Sequence, residues 1–498
     1  MTGIEHIFQG FQVALTPANL LICTLGVIVG TLVGVLPGLG PMGAMAIMLP
    51  LSVRYGPLAG LILLAGVWYG AQYGGSTTSI LVNIPGEASS VITCIDGYQM
   101  ARKGRAGAAL AVSAIGSFVA GTIGIIALQL FAPPLASAAL SFGPPEYLAI
   151  MVFAFVALST LSGKSPLKGA LMIALGAFLS TIGIDRIAGV QRFTMDIPDM
   201  MYGIDFVPVA IGLFGIAEVI RITLSPYATP SLKSVSLREL YPTREEARRS
   251  VMPILRGSLI GSFFGLLPGT PAVMASFTSY SLEKSLSPRR AEFGHGAIEG
   301  VAGPESANNS AVVIALTPLL CLGIPFAPVA ALLLAGLEMH NVSPGPMLFQ
   351  NHPDIFWGFI AAMYIGNFLL LVLNLPLVGL FARVATLRPQ ILMPIIGILC
   401  LIGCYTIRMA LFDVWVMITA GVAGFLLNRR GFPIVSLVIG MVLGHILEDN
   451  LRVTIQWMNG DFSRIWTRPI TLVILVIIPV YVVFIRLVGR RVFQAERA

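Results

Sequence analysis

Long apolar stretches alternate with short polar ones along the whole chain. Residues 20–36, 150–161, 359–380 and 472–488 contain almost no charged side chain. Each stretch approaches the roughly 20 apolar residues that span the hydrocarbon core of a bilayer, and the chain has room for about 10 to 13 such segments. Because lipid offers no hydrogen-bond partner to an open strand edge, the segments should be helices. The pattern predicts an all-α polytopic membrane protein.

Composition and charge agree with this prediction. Hydrophobic residues make up 56% of the 498 residues and charged residues 11%, whereas soluble domains carry about 25% charged residues. The net charge of +7 comes from short basic clusters between apolar segments, which is typical of cytoplasmic loops and argues against nucleic-acid binding. The first 17 residues contain no Lys or Arg, so we expect no cleavable signal sequence.

One Gly/Pro motif occurs twice, 231 residues apart. The pattern Gly-x-x-x-Gly-x-Leu-Pro-Gly begins at Gly30 and again at Gly261. Further identities follow in the same register, namely Leu51 with Leu282, Pro57 with Pro288, Ser79 with Ser310 and Val82 with Val313. Such a series predicts an internal repeat. We predict a first membrane repeat over residues 1–230, a cytoplasmic linker helix over 231–256, and a second membrane repeat with additional C-terminal helices over 257–498.

Basic residues flank the second copy of the motif but not the first. The residues before the first copy contain no Lys or Arg and the loop after it contains only Arg54, whereas several basic residues occupy 233–256 and 284–290. Since basic loops stay in the cytoplasm, the copies are expected to enter the membrane from opposite faces. Such an inverted-topology repeat holds substrate between its halves. Within the linker, Thr243 and Glu246 fit a capping box.

The two Leu-Pro-Gly segments are expected to interrupt helices. Pro removes a backbone donor and Gly permits unusual dihedrals. A packing kink, with glycines as small contacts between helices, explains one such break, but a symmetric pair favours re-entrant hairpins or unwound helices. Freed carbonyls suit a cation, and we expect Na⁺ near Gly38 and Gly269. The candidates for the hairpins and the cation site are Pro37, Gly38, Gly40, Pro268, Gly269 and Thr270.

Hydroxyl and amide side chains cluster beyond each break, over residues 73–87 and 303–310. Under the 231-residue offset, Thr77 and Thr78 correspond to Asn308 and Asn309. Buried polar groups need partners, and helix N-termini beside them would suit a carboxylate. Hydrogen bonds between helices are the alternative explanation. The candidate substrate-binding residues are Gly75, Ser76, Thr77, Thr78, Ser79, Asn83, Ser306, Asn308, Asn309 and Ser310.

Charged residues near these clusters are all acidic. Glu87, Glu299 and Glu305 adjoin the clusters and are candidates either for carrying a proton or sodium ion or for capping helix ends. No Arg or Lys falls within the paired motifs. Carboxylate recognition is therefore expected to rest on helix dipoles, hydroxyl groups and the coupled cation.

The sequence offers no catalytic constellation. Gly38-x-Gly40-x-x-Gly43 satisfies the dinucleotide-binding pattern, but it lies in an apolar run without the strand–helix–strand context that the motif needs. The histidines show neither metal-ligand spacing nor a nucleophile partner. We predict no catalytic residue, no bound cofactor and no enzyme. A passive anion channel is the main alternative to a transporter, and a structural subunit of an assembly is a further one.

Several longer strings resemble the large membrane subunit of the tripartite tricarboxylate transporters. They cover residues 34–40, 73–87, 96–104, 265–269, 299–309 and 322–325. The resemblance implies a multi-pass importer of the bacterial inner membrane that receives citrate or another di- or tricarboxylate from a periplasmic binding protein and works with a small four-helix membrane subunit. It also implies an elevator-like movement driven by a Na⁺ or H⁺ gradient. The chain has no Walker motif.

Two positions depart from the family pattern. Thr270 and Pro271 follow the second Leu-Pro-Gly segment, where the family often has small residues. Phe326 and Ala327 follow Gly323-Ile-Pro325, where a glycine is common. Because both positions adjoin the predicted site, carboxylates other than citrate stay open as substrates.

Overall fold

The computed structural model describes residues 3–36, 39–160, 165–185, 187–224, 241–384 and 389–495, which are almost entirely helical. Eight helices in these ranges are long and apolar enough to cross a membrane, and four shorter apolar helices accompany them. Large apolar side chains lie on the outside, such as Trp415 at 66% exposure, as expected of a surface that faces lipid. The prediction of an all-α multi-pass membrane protein is confirmed.

Eleven helices form the first part of the chain within the described residues. They are α1 (Gly3–Ala14), α2 (Pro17–Val35), α3 (Gly40–Ser52), α4 (Pro57–Val82), α5 (Val91–Arg102), α6 (Ala106–Ala139), α7 (Pro144–Thr160), α8 (Pro166–Ser180), α9 (Pro198–Met201), α10 (Phe206–Ile211) and α11 (Ala217–Leu224). Proline occupies the first turn of α2, α3, α4 and α8, where its missing N–H costs no helical hydrogen bond. Short strands β1 (Gly183–Ile184) and β2 (Gln191–Arg192) pair antiparallel after α8.

The described part of the chain continues with eleven more helices. They are α12 (Arg244–Gly265), α13 (Pro271–Leu286), α14 (Glu299–Ile314), α15 (Leu316–Leu322), α16 (Pro328–Met339), α17 (Pro346–Asn351), α18 (Pro353–Val384), α19 (Pro389–Arg408), α20 (Leu411–Arg429), α21 (Ile434–Met458) and α22 (Pro469–Ala495). Proline again begins α13 and α16.

The predicted capping box opens α12. Thr243 Oγ1 accepts the N–H of Glu246 at 3.2 Å, and Glu246 Oε2 accepts the N–H of Thr243 at 2.7 Å. The helix then continues to Gly265 without a break. The charged segment up to residue 256 and the first helix of the second repeat are therefore one helix and not a separate linker helix. Residues 231–240 of the predicted linker lie outside the described residues, and the division of the chain into domains stays a prediction.

Each repeat contains the same three consecutive helices, which are α2, α3 and α4 in the first repeat and α12, α13 and α14 in the second. We call them the first, second and third helix of a repeat. Adding 231 to the bounds of α3 gives residues 271–283, and α13 spans Pro271–Leu286. The helix break predicted at the second Leu-Pro-Gly segment is present, because α12 ends at Gly265 and α13 begins five residues after the C-cap Leu266. Pro37 and Gly38, in the corresponding break between α2 and α3, lie outside the described residues.

Glycines let the first helix of each repeat approach the third closely. A Cβ on Gly30 would lie 2.3 Å from the carbonyl oxygen of Val67, and a Cβ on Gly34 would lie 2.2 Å from that of Ala71. Since the partner number rises with the glycine number, α2 and α4 are parallel. The second repeat has the same contacts at Gly257, Gly261 and Gly265, which approach Gly303, Ala307 and Ala311. The small-residue contacts expected between helices are thus present in both repeats.

Helix α5 shows that the two repeats run in opposite directions. It lies beside α4 in the same direction and beside α14 in the opposite direction. The neighbouring pairs are Gly75–Ser90 and Ile80–Gly97 between α4 and the start and middle of α5, and Thr93–Glu305 and Gly97–Val301 between α5 and α14. Because α4 and α14 are the corresponding third helices, the repeats have the inverted topology that the loop charges predicted.

Candidate substrate site

In each repeat the segment around the Leu-Pro-Gly motif lies against a later loop, which is residues 83–90 in the first repeat and 323–327 in the second. In the first repeat, a Cβ on Gly86 would be 2.1 Å from the carbonyl oxygen of Gly34. In the second, the N–H of Gly269 donates to the carbonyl oxygen of Phe326 at 2.9 Å. Gly269 has a φ of 131°, a backbone conformation that other residues rarely adopt. The helix break and the later loop of a repeat therefore form one structural unit.

A cavity of about 660 Å³ lies where the loops of both repeats meet. Its wall includes residues 41–42 and 87–89 from the first repeat and residues 269–273 and 327–329 from the second. Side chains from α4, α7, α8, α14 and the α20–α21 connection complete it, among them Trp68, Gln72, Leu158, Lys168, Val312, Asn428, Phe432 and Ser436. Pockets for small molecules usually measure about 300 to 1,000 Å³. The cavity therefore has the size of a small-molecule site.

Several helices begin at this cavity. The first turns of α3, α13 and α16 line it with Pro41, Pro271 and Pro328, and α21 contributes Pro433 and Val435. The N–H groups of a first helical turn have no partner within the helix, and the helix dipole places partial positive charge there. Together the four N-termini make an environment that favours an anion.

Lys168 adds a full positive charge to the same wall. Its Nζ donates to the carbonyl oxygen of Arg430 at 2.6 Å and lies 4.7 Å from the centre of the Phe432 ring. The residue is on α8, outside the repeated motifs, and adding 231 to its number leads to Leu399. The sequence reasoning missed it because only the paired motifs were searched for positive charge. The expectation that recognition rests on helix dipoles, hydroxyl groups and the coupled cation stays a prediction, and it did not include this side chain.

The predicted substrate-binding residues lie beside the cavity and not on its wall. Nine of the ten are buried, whereas Asn83 is exposed and ends α4 in a left-handed conformation with φ 58°. Thr77 and Thr78 donate to carbonyl oxygens of their own helix, at 3.3 and 3.1 Å. Ser306 does the same at 2.7 Å, and Ser310 donates to Ser258 of α12 at 2.8 Å. Their role in binding substrate stays a prediction.

Two of these residues, Ser76 and Asn308, form a buried group with Thr93 and Glu305. We call this group the Glu305 cluster. The hydroxyls of Ser76 and Thr93 donate to the two carboxyl oxygens of Glu305, and Asn308 Nδ2 donates to the carboxyl at 3.4 Å. All four side chains are at most 3% exposed. The cluster therefore links α4 and α5 of the first repeat to α14 of the second.

Beside the cluster, Asn309 makes its own set of hydrogen bonds. Its Nδ2 lies within 2.8 Å of Ser117 Oγ on α6 and 3.0 Å of the carbonyl oxygen of Glu305. These bonds and those of Thr77 and Thr78 do not join the residues that the 231-residue offset pairs. The pairing in sequence reflects the repeat and not a direct contact.

The hairpin candidates lie closer to the cavity than the polar clusters do. Gly269 and Thr270 line the 660 Å³ cavity, and Gly40 lines a smaller one of about 340 Å³ next to Glu87. The carbonyl oxygen of Pro268 accepts a hydrogen bond from Tyr481 Oη at 2.8 Å. Among the described residues no group of three or more His, Cys, Asp or Glu side chains could hold a metal ion. A sodium site near Gly269 would therefore use backbone carbonyls.

The three acidic candidates have different surroundings. Glu87 lines the cavity and caps the 3₁₀ turn Ala88–Ser90, so its predicted capping role is present. Glu299 forms an ion pair with Arg249 at 2.7 Å. Within the described residues, the Glu305 carboxyl is hydrogen-bonded only by neutral side chains, those of its cluster and Ser113 of α6.

A second cavity, of about 360 Å³, lies at the opposite ends of α8, α16 and α21. Between the two cavities these helices are in close contact, since a Cβ on Gly176 would lie 1.9 Å from the carbonyl oxygen of Leu437. Asp185, Arg192 and Glu448 lie on the wall of the second cavity and form a four-charge ring with Arg452. The helices thus connect two cavities that tight packing separates.

Comparison with known proteins gives a family and two relatives. Residues 20–439 match the model of the tripartite tricarboxylate transporter TctA family. A 52.8 kDa protein in the TAR-I ttuC' 3' region of Agrobacterium vitis is 48% identical over 470 residues, which cover 94% of this chain and 93% of that relative. A protein in the TAR-II ttuC' 3' region of the same organism is 49% identical over 210 residues, or 42% of this chain and 87% of that relative. No solved structure matches the chain.

Proposed function

Since the chain belongs to the tripartite tricarboxylate transporter TctA family, a family of transporter components and not of enzymes, we propose that it imports a small di- or tricarboxylate. Citrate and related acids are the substrates, and a cation gradient drives their import. The match spans most of the chain and includes both repeats, which supports a role for the inverted pair as the transport unit.

The observation that carries this proposal is the convergence of four helix N-termini and Lys168 on one cavity between the repeats. Each N-terminus offers N–H donors and partial positive charge, and these sources of charge surround the cavity from different helices. A di- or tricarboxylate presents several separated negative groups, so it can engage more than one of them at once. A neutral solute would gain nothing from this arrangement.

The coupling cation is proposed to be Na⁺ or H⁺. Of the two positions expected for Na⁺, Gly38 lies outside the described residues and Gly269 lines the cavity. The carbonyls in the last turn of α12 have no N–H partner within the helix, which suits a cation beside Gly269. A bound cation there would also offset the charge of an arriving carboxylate.

The proposed partners are the other two parts of the transporter. A periplasmic binding protein would deliver the carboxylate, and a small four-helix membrane subunit would associate with this chain in the bacterial inner membrane. The face that receives the cargo would be the one with the second cavity, because the loops at the opposite face, near Arg102, Arg249 and Arg430, are basic and basic loops stay in the cytoplasm.

An elevator-like movement of one subdomain is proposed to carry the cargo between the faces. The two cavities at opposite ends of α8, α16 and α21 are separated by close contacts such as that of Gly176 with Leu437. A rigid shift along these helices would open the site to the two faces in turn. The glycine contacts within each repeat suit such a shift, since they hold α2 closely against α4 and α12 closely against α14.

Substitution of Lys168 tests the site. In proteoliposomes with the binding protein and the small subunit, we expect Lys168→Ala to lower carboxylate uptake roughly 10- to 100-fold, because a charge-assisted hydrogen bond contributes about 1.5–3 kcal/mol. Lys103→Ala is the matched control, since Lys103 also donates to a carbonyl, that of His295 at 2.6 Å, but lies away from the cavity. Equal uptake by both variants would contradict the site.

The driving force is tested in the same system. Uptake by the wild-type protein should require the binding protein and should stop when both the Na⁺ and the H⁺ gradient are removed. Uptake that is indifferent to both gradients and to the binding protein would indicate a passive anion channel and would contradict the proposed function.

A further inference from the structure

Among the described residues, each buried glutamate lies beside an arginine, with one exception. Glu283 is 1% exposed, and its carboxylate accepts a hydrogen bond from Arg256 Nε at 2.7 Å. The Glu299 carboxylate lies 2.7 Å from Arg249 Nε. Glu146, at 2% exposure, has Arg468 at 3.8 Å. Their carboxylates can therefore stay ionised inside the protein.

Glu305 is the exception. It is fully buried, and within the described part of the chain its carboxyl has only neutral hydrogen-bond partners, namely the hydroxyls of Ser76, Thr93 and Ser113 and the amide of Asn308. An ionised carboxylate without a counter-charge is strongly unfavourable in such a place. The carboxyl must therefore hold a proton or a bound cation.

The surroundings favour a proton. The hydroxyls of Ser76 and Thr93 lie within hydrogen-bond distance of the carboxyl oxygens. Glu305 lines neither of the two cavities, from which a hydrated cation could reach the carboxyl directly. A proton fits, because it needs no space beyond a hydrogen bond.

The position of Glu305 connects it with both repeats and with the substrate cavity. Three partners of its carboxyl, Ser76, Thr93 and Ser113, come from the first repeat, and Asn308 comes from its own helix. Towards the cavity, Ser76 Oγ also lies 3.1 Å from the carbonyl oxygen of Gln72, and the Gln72 side chain accepts from Ser89 at 3.3 Å. Since Gln72 and Ser89 line the cavity, only one helical turn separates Glu305 from its wall.

The other titratable groups around Glu305 are already engaged. Tyr73 of α4 donates to Asn367 at 3.2 Å, and α6 faces Glu305 with the neutral Ser117. From α5, Cys94 is half-buried and bonds to the carbonyl oxygen of Ser90. Near α12 and α13 the Arg256–Glu283 pair balances its own charge. The remaining group is Asp96 of α5, whose carboxylate accepts from the N–H groups of Gly294, Gly296 and Ala297 and from Tyr280 Oη.

Glu87 is the other carboxyl near this route. It lines the cavity and is held by Ser89 and by the turn that it caps. Glu87 therefore faces the cargo, whereas Glu305 lies one layer deeper, at the contact between the repeats.

We propose that Glu305 carries the proton that couples to carboxylate import, an inference that rests on the proposed cation-driven function. The carboxyl takes a proton from hydronium on the side from which the carboxylate arrives, so that its O–H bond forms as an O–H bond of the hydronium breaks and leaves water. It loses the proton to water on the other side, as that bond breaks. In between, the neutral carboxyl lets α14 move against α4 and α5 without exposing an unpaired charge.

Glu305→Gln tests this, because glutamine resembles the protonated form and cannot release a proton. In proteoliposomes we expect accumulation driven by an imposed pH gradient to fall at least 10-fold. Exchange of labelled for unlabelled carboxylate across the membrane moves no net proton, so it should stay within about twofold of wild type. The matched control is Glu292→Gln, which leaves Arg249 paired with Glu299 and should preserve both activities.

Three results would overturn the inference. Glu305→Gln could retain accumulation in a pH gradient, or it could lose exchange in proportion to accumulation, which a purely structural role predicts. Wild-type protein could also respond to a Na⁺ gradient and ignore the pH gradient, in which case the proposed cation-driven import stands and the role of Glu305 fails. Indifference to both gradients would instead overturn the proposed function itself.

A second variant tests the same inference if Glu305→Gln does not insert into the membrane. Thr93→Val removes one hydroxyl that donates to the carboxyl while keeping the side-chain shape. Since that hydrogen bond favours the ionised form, the pH midpoint of uptake should move to higher pH while exchange is preserved. An unchanged midpoint would overturn the inference.

Discussion

The glycine contacts between the first and third helices give the sharpest test of the fold. We consider Gly30→Ala in the first repeat and Gly261→Ala in the second, where the 231-residue offset places equivalent residues. The added Cβ would lie 2.3 Å from the carbonyl oxygen of Val67 and 2.2 Å from that of Ala307. In both cases the obstacle is backbone, which cannot turn aside as a side chain can.

The magnitude follows from these distances. An ordinary van der Waals contact is about 3.5 Å, so the two helices must separate by about 1 Å to admit the methyl group. Overpacking of this kind costs about 1–3 kcal/mol, while alanine gains up to about 1 kcal/mol over glycine in helix propensity. The net loss in the free energy of unfolding is therefore about 0–2 kcal/mol for each variant, and about 1–3 kcal/mol relative to the same change at an open helical position.

Thermal unfolding of the purified protein in detergent measures this loss. Gly397→Ala is the matched control, because Gly397 is also within a helix but has no atom within 4 Å of its added Cβ. We expect Gly30→Ala and Gly261→Ala to lower the unfolding midpoint by similar amounts and Gly397→Ala to leave it unchanged or raise it. Variants as stable as the control would refute the close approach of these helices.

Three further predictions concern single contacts. Thr243→Ala should lower the free energy of unfolding by about 1 kcal/mol, measured by thermal unfolding, because it removes the N-cap of α12. Arg452 holds the pKa of Asp185 below its ordinary value of 3.8, so the four-charge ring stabilises the protein above that value and the contribution is lost as the pH falls through the lowered pKa. Asp185→Asn should therefore flatten the decline of the unfolding midpoint between about pH 5 and pH 2. Tyr481→Phe removes the donor to Pro268, which should cost about 1 kcal/mol and slow uptake in proteoliposomes.

The fold was largely predictable because its determinants are local or repeated. Apolar length predicted membrane helices, and the motif at Gly30 and Gly261 predicted the repeat. The distribution of basic loops predicted the inversion, which the direction of α5 confirms. The predicted end of the linker helix at residue 256 differs from the structure, since the capping box at Thr243 begins a helix that continues to Gly265. The charged residues show which part of a helix lies outside the membrane, but they do not show at which residue the helix ends.

The site was less predictable because a cavity depends on contacts between distant segments. Dense polar residues drew attention to Thr77, Thr78 and Asn309, yet these bond to their own helices and to Ser117. The cavity wall consists mostly of apolar residues and of the first turns of helices such as α13 and α16. Composition alone does not distinguish these turns from other segments of the chain. Lys168 lies far from the motifs in sequence and reaches the cavity only through the packing of α8.

The inverted repeat explains both the symmetry of the site and its limits. It brings equivalent helix N-termini to one cavity, that of α3, which includes Pro41, and that of α13, which begins at Pro271. This arrangement alone would treat the two ends of a carboxylate alike. Lys168 breaks the symmetry, since residue 399 at the matching offset is a leucine. Glu305 breaks it again, because the offset leads back to Gly74 in the first repeat. The repeated elements therefore build the cavity, whereas Lys168 and Glu305 each occur in one repeat only.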